Sequence, residues 1–156
     1  TSQTTGHSSW MGHTSRVVIA KHWQMSRVER PGALDARYPK GNLFHVGIGD
    51  DKPVCIAAPE HRFNHCSASR CGKYWVSDSY PQGIPGPIPI VMGNFATGKV
   101  RTLVSDCKAS CGNGAGTHPH PYIAGDNGHV VYNADVYHLG QVYKATVPQE
   151  FLDSLE

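Results

Sequence analysis

The chain has 156 residues, enough for one ordinary domain with a real core. A net charge of +2 gives no basis for a nucleic-acid partner or an anionic membrane surface, although it would not repel an acidic sugar, and no apolar run approaches the ~18 residues of a spanning helix. With 39% hydrophobic and only 17% charged residues, 17 Gly and 11 Pro, the composition favours short strands and turns, so an all-β protein is expected, and the 10 histidines are the unusual count.

Read in chain order, one pattern recurs. From His7 the chain runs through Ser8, Ser9 and Trp10, a turn-like Met11–Ser15, and the apolar strand Val17–Ala20. From His65 it runs through Cys66–Ser69, the turn Arg70–Lys73, and Tyr74–Asp78. From His120 it runs through Pro121–Ala124, the turn Gly125–Gly128, and Val130–Asp135. Histidine, short strand, polar turn and apolar strand thus repeat at roughly 55-residue intervals, within reach of propeller-blade periods. Two further strands follow the first copy, Asn42–Ile48 and Pro53–Ala57, and two follow the second, Ile88–Phe95 and Val100–Val104. The third copy has only Gln141–Val147, so its fourth strand is missing. Four antiparallel strands per repeat describe a β-propeller blade. The expected blades cover 7–60, 61–105 and 117–148, with insertions at 24–40, where a short helix near Leu34 is conceivable, and at 80–87.

Thr117–Pro121 is the stretch richest in chemistry. In an extended strand alternate side chains share a face, so His118 and His120 are expected to present two imidazoles to one space. The flanking prolines suit a rim rather than the middle of a sheet. The innermost strand of each blade lines the central channel, so His7, His65 and His118 with His120 would converge at one mouth. Converging imidazoles suit a transition metal such as Mn, Fe, Ni or Zn.

Cys55, Cys66, Cys71, Cys107 and Cys111 are an odd number, which does not suit a fully paired disulfide framework, and their spacings lack the CxxC knuckle of a structural zinc site. Free thiols are the favoured state, and they point toward a reducing, cytoplasmic compartment. Trp10, Trp75 and Tyr132 read as packing between blades, and Asp78 and Asp135 as turn caps.

Thr117–Pro121, the Gly125–Gly128 turn, and Val130–Asp135 running on to Gln141–Tyr143 and Val147–Pro148 resemble the C-terminal blade of oligogalacturonate lyases. Gly6–Trp10 resembles that family's His-x-x-Trp element, and Asn64 and His65, Gly72 and Lys73, and Ser77 and Asp78 resemble its following blade. The resemblance implies a seven-bladed propeller whose channel holds manganese on three histidines and a glutamine. Carried over, the histidines fall on His7, His118 and His120. The glutamine's place is taken by Ala115, so the fourth ligand would come from elsewhere or from water. The family's catalytic base and a substrate arginine sit in blades before the His-x-x-Trp element. The chain is therefore expected to be the C-terminal part of a longer enzyme that cleaves oligogalacturonides by β-elimination in pectin degradation, with little or no activity alone. His65 is a candidate for substrate binding, for the missing ligand or for the base. Arg70 is a second substrate-binding candidate; Arg16 and Arg62 could also meet uronate carboxylates, but turn arginines are more often solvated. Two other readings stay open: a non-enzymatic propeller scaffold with structural histidines, and a metal-dependent hydrolase or oxygenase using the same ligands.

Overall fold

The computed structural model describes residues 6–21, 40–80, 86–110 and 116–156. The insertions expected at 24–40 and 80–87 fall largely outside them, as do Leu34, near which the segment gives a helix little support, Cys111 and Ala115. Among the described residues eleven strands form three antiparallel sheets, followed by one short helix, an all-β, propeller-like arrangement.

The first sheet takes β1 (Gly6–Trp10), β2 (Arg16–Lys21), β3 (Leu43–Gly47) and β4 (Val54–Ile56) in sequence order. The second takes β5 (Phe63–Ala68), β6 (Tyr74–Ser79), β7 (Ile90–Asn94) and β8 (Val100–Val104) in the same meander. The third has β9 (Tyr122–Ile123), β10 (His129–Ala134) and β11 (Gln141–Thr146), after which the chain enters α1 (Gln149–Asp153). At the start of β7 and in β9, prolines explain why the strands are shorter than the sequence suggests. Pro89 has no N–H for the ladder and joins only through its carbonyl, which accepts the Ser79 N–H at 3.0 Å. Pro121 likewise leaves β9 only two residues.

The innermost strands β1, β5 and β9 stand side by side, and the apolar faces between sheets make two cores. Period-two alternation assigns β6 to both. Trp75 faces the first sheet and packs edge-on against Phe63, ring centroids 5.1 Å apart, while Tyr74 and Val76 face the third, with Ile123, Val130, Leu152 and Leu155. All six β6 residues are buried, which makes the second sheet the middle layer. Gly93 lies directly opposite Trp75, and a Cβ there would sit 2.4 Å from the indole. Gly12, at φ +56, brings the β1–β2 turn against the β5–β6 turn; a Cβ at that position would meet the Arg70 carbonyl at 2.1 Å.

The packing expectation for the three aromatics divides. Trp75 is fully buried and Tyr132 is packed against the second core, but Trp10 is 66% exposed. Alternation places Trp10 with exposed Ser8 on the outer face of β1, opposite the half-buried His7 and Ser9. Cys55, Cys66, Cys71 and Cys107 are free thiols. Burial pushes the Cys66 thiol up to about 12.

Candidate metal centre

His65 owes its position to a β-bulge. Phe63 pairs with Ser79 and Cys66 with Ser77, so Asn64 and His65 together face the single residue Asp78. The bulge takes the His65 N–H out of the regular ladder, and the Asp78 carboxylate receives it, Oδ1 at 2.7 Å. The other carboxylate oxygen meets His65 Nδ1 at 2.5 Å. Both groups are buried, Asp78 completely. Asp78 was expected to cap a turn; it lies instead within β6, and the bulge opposite it turns a strand residue into the partner of an imidazole.

His118 and His120 come from the segment leading into β9. It is not a strand as the alternation argument expected, for His120 has φ +43, in the left-handed region. Pro119 and Pro121 are buried beneath the two exposed histidines and anchor the segment. The Pro119 carbonyl accepts the Asn133 N–H at 2.7 Å, and the His118 carbonyl accepts the Asn133 side-chain amide at 3.3 Å. The Tyr80 hydroxyl lies 3.1 Å from His118 Nδ1. Asp78 and Tyr80, two residues apart and on the same side of the β6 segment, thus each engage the Nδ1 of a different histidine.

One nitrogen from each of His65, His118 and His120 lies within 4.8 Å of the other two. The His65 and His120 rings are 3.7 Å apart between centroids, those of His65 and His118 5.2 Å. Burial first, and then the neighbouring His65 imidazole, hold His120 below the ordinary histidine value. That favours the neutral ring whose lone pair a metal requires. The donor set fits a divalent transition ion. Three nitrogens spaced evenly about one ion at bonds of about 2.1 Å stand no more than roughly 3.6 Å apart, so side-chain rotation would have to close the widest spacing in the group by up to about an ångström.

His7, expected as a ligand with His118 and His120, stands next to this group rather than in it. Its ring centroid is 4.4 Å from that of His65 and 6.0 Å, edge-on, from that of His120. The structure therefore brings together all four histidines singled out in the sequence, and the three whose nitrogens lie within 4.8 Å of one another are His65, His118 and His120. It does not bring Arg70 to them. Arg70 lies in the β5–β6 turn five residues beyond His65, roughly 15 Å away at the usual strand rise, and donates its Nε–H to His13 at 3.1 Å. Arg16 is at that same far end, ion-paired with Asp50 at 2.6 Å. Arg62 directly precedes β5 at the histidine end, its N–H donating to Ser79 Oγ at 3.2 Å and its carbonyl accepting the Tyr80 N–H at 2.8 Å. Asp78 and Tyr80 were not recognised as site residues. Extending the Cys66–Ser77 register by one step sets His65 opposite Asp78, so the signal for Asp78 was present once the turn was placed.

No family model and no characterised protein matches the sequence. Among solved structures the chain is similar to an oligogalacturonate lyase in complex with manganese, at a TM-score of 0.48 and 17% identity, over 94% of this chain and 49% of that one. The chain thus spans about half the length of that protein.

Proposed function

We propose that this chain carries the metal centre of a lyase that cleaves oligogalacturonides by β-elimination in pectin breakdown, and that it acts in the cytoplasm as the C-terminal part of a longer propeller enzyme. The observation that carries the reading is the convergence of the His65, His118 and His120 nitrogens, two of them on the segment Thr117–Pro121 that resembles the lyases. A scaffold gains nothing from crowding four imidazoles into one space, where they must stay neutral or repel one another.

His65, His118 and His120 would hold the ion, manganese by the resemblance. Bound there, a divalent cation supplies a Lewis acid that draws charge from a uronate carboxylate and acidifies the hydrogen on the adjacent carbon. His7, beside the ligands but outside their set, is the imidazole we assign to accept that proton. The C–H electron pair becomes the 4,5 double bond as the C4–oxygen bond breaks, and the departing oxygen takes a proton from water or an acid. Arg62 replaces Arg70 as the candidate contact for a second uronate carboxylate, since it alone of the three arginines considered lies at the histidine end.

The test is elemental analysis of untagged protein after exposure to Mn2+, beside a His118→Ala/His120→Ala variant. Near-stoichiometric metal lost in the variant is expected, followed by ultraviolet absorbance of unsaturated uronate from the full-length enzyme. A folded wild-type protein that takes up no divalent transition metal sinks the reading.

A further inference from the structure

Asp78 is fully buried, and its neighbours on the same face of the strand, Tyr74 and Val76, belong to the apolar core. A carboxylate in such surroundings is costly unless its oxygens are satisfied. Here each oxygen has a partner on one residue, His65: the backbone N–H on Oδ1 and ring Nδ1 on Oδ2. A carboxylate only accepts, so the Nδ1 proton lies between the two, and in the neutral ring the lone pair falls on Nε2. The Asn64 side-chain amide stands 3.4 Å from Nε2, where it can donate to that lone pair, so an ion would take the place of a long contact on the nitrogen that Asp78 does not engage.

From this geometry we propose that Asp78 is a positioning residue: it fixes the tautomer and rotation of His65 so that Nε2 is offered to a metal ion shared with His118 and His120. The inference rests on the metal-centre reading above. Asp78→Asn keeps the shape but supplies one acceptor for two donors. If its carbonyl oxygen keeps the backbone N–H, its NH2 group faces Nδ1. The ring then meets that donor with a lone pair, and its proton moves to Nε2, where it blocks the ion. Outer-shell partners of this kind are worth about 10–100-fold in metal affinity.

The experiment has two readouts. In metal-free protein, 15N NMR of the imidazoles is expected to show His65 protonated on Nδ1 in the wild type and on Nε2 in Asp78→Asn. In a Mn2+ titration followed by EPR, Asp78→Asn is expected to bind about 10–100-fold more weakly than wild type. Ser77→Ala is the control, because Ser77 Oγ donates to the His65 carbonyl at 2.9 Å without touching the ring. It should leave tautomer and affinity unchanged. A wild-type His65 protonated on Nε2 overturns the inference without any variant, and so remains decisive if Asp78→Asn does not fold. Equal affinity in wild type and Asp78→Asn, or equal loss in Ser77→Ala, overturns it while the metal centre stands. Absence of Mn2+ binding by folded wild type overturns both.

Discussion

The regrouping of the histidines can be tested by thermal unfolding with and without Mn2+. A ligand that binds only the folded state at 100 times its Kd stabilises by about 2.7 kcal/mol. For a chain of this length each kcal/mol moves Tm by roughly 2–4 °C, so a rise of about 5–10 °C is expected for wild type. His65→Ala removes one of the three nitrogens that lie within 4.8 Å of one another. A loss of about 100-fold in affinity brings the same Mn2+ concentration down to Kd and leaves only ~0.4 kcal/mol, a rise of about 1 °C. His118→Ala and His120→Ala should behave likewise. His7→Ala should keep most of the shift, since its ring stands beside the cluster and not in it. Differential scanning fluorimetry of the four variants at one Mn2+ concentration, each against its own metal-free Tm, reads this directly. If His7→Ala abolishes the shift and His65→Ala preserves it, the ligand set is the one the sequence resemblance implies, and the reasoning from geometry is refuted.

Leu155, fully buried against Leu152 and the core between the second and third sheets, anchors the segment after α1, and Leu155→Ala should cost about 2–5 kcal/mol in urea unfolding. A loss under about 1 kcal/mol would show that the segment is not docked in solution. Burial first, and the Arg16 guanidinium second, hold His45 below its ordinary value, and burial does the same for His61. The unfolded chain therefore binds protons that these folded imidazoles refuse. Their contribution is fully present above about pH 6.5 and is lost as pH falls through the lowered folded values, so stability should decline as pH falls below about 6.5, and less steeply in His45→Gln/His61→Gln. An unchanged slope in that variant would assign the decline to other groups. Among the four described thiols, Cys71 should react first with a disulfide reagent and Cys66 last, as mapped by mass spectrometry. Partial burial raises the Cys71 thiol, but hydrogen bonds from Ser69, the Lys73 backbone and Asn127 outweigh it, and the exposed group ends below its ordinary value, whereas buried Cys66 is raised to about 12. Early labelling of Cys66 would contradict its burial.

Much of the fold was legible because strands and turns obey local rules. The alternation in Tyr74–Ser79, the apolar run at Val17–Ala20 and the glycine turns at Gly12, Gly72 and Gly98, all with positive φ, each indicate one local conformation, and the sheets form where those indications agree. The clustering of His7, His65, His118 and His120 was legible for the same reason: each sits on or just before an innermost strand, and β1, β5 and β9 stand side by side. Less legible was which of the four share one point. A β-bulge at Asn64–His65 shifts register by one residue, and such a shift decides which way a side chain faces. No feature of Phe63–Ala68 announces the bulge, because it is set by the pairing with β6 and by the carboxylate waiting there. Arg70 was misplaced by the same limitation, since a turn residue's nearness to a site depends on which end of the strand the site occupies.

His120 shows why the site is where local rules give way. Read alone, Thr117–Pro121 is an extended segment, and each proline restricts the residue before it toward the extended region. The structure holds His120 at φ +43, a conformation that costs a non-glycine residue about 1–2 kcal/mol. Nothing in the pentapeptide itself repays that cost. The surroundings do, through burial of Pro119 and Pro121 and the bond from Asn133 to the Pro119 carbonyl, which fix the chain on both sides of the strained residue. The result is an imidazole lying 3.7 Å from that of His65, which itself departs from regular strand geometry and is held by a buried carboxylate. Two independent local irregularities, one in β5 and one in the segment leading into β9, meet at a single group of nitrogens. Strain maintained by its surroundings and directed at one point is what a preorganised binding site requires, and a merely structural pair of histidines would need neither irregularity.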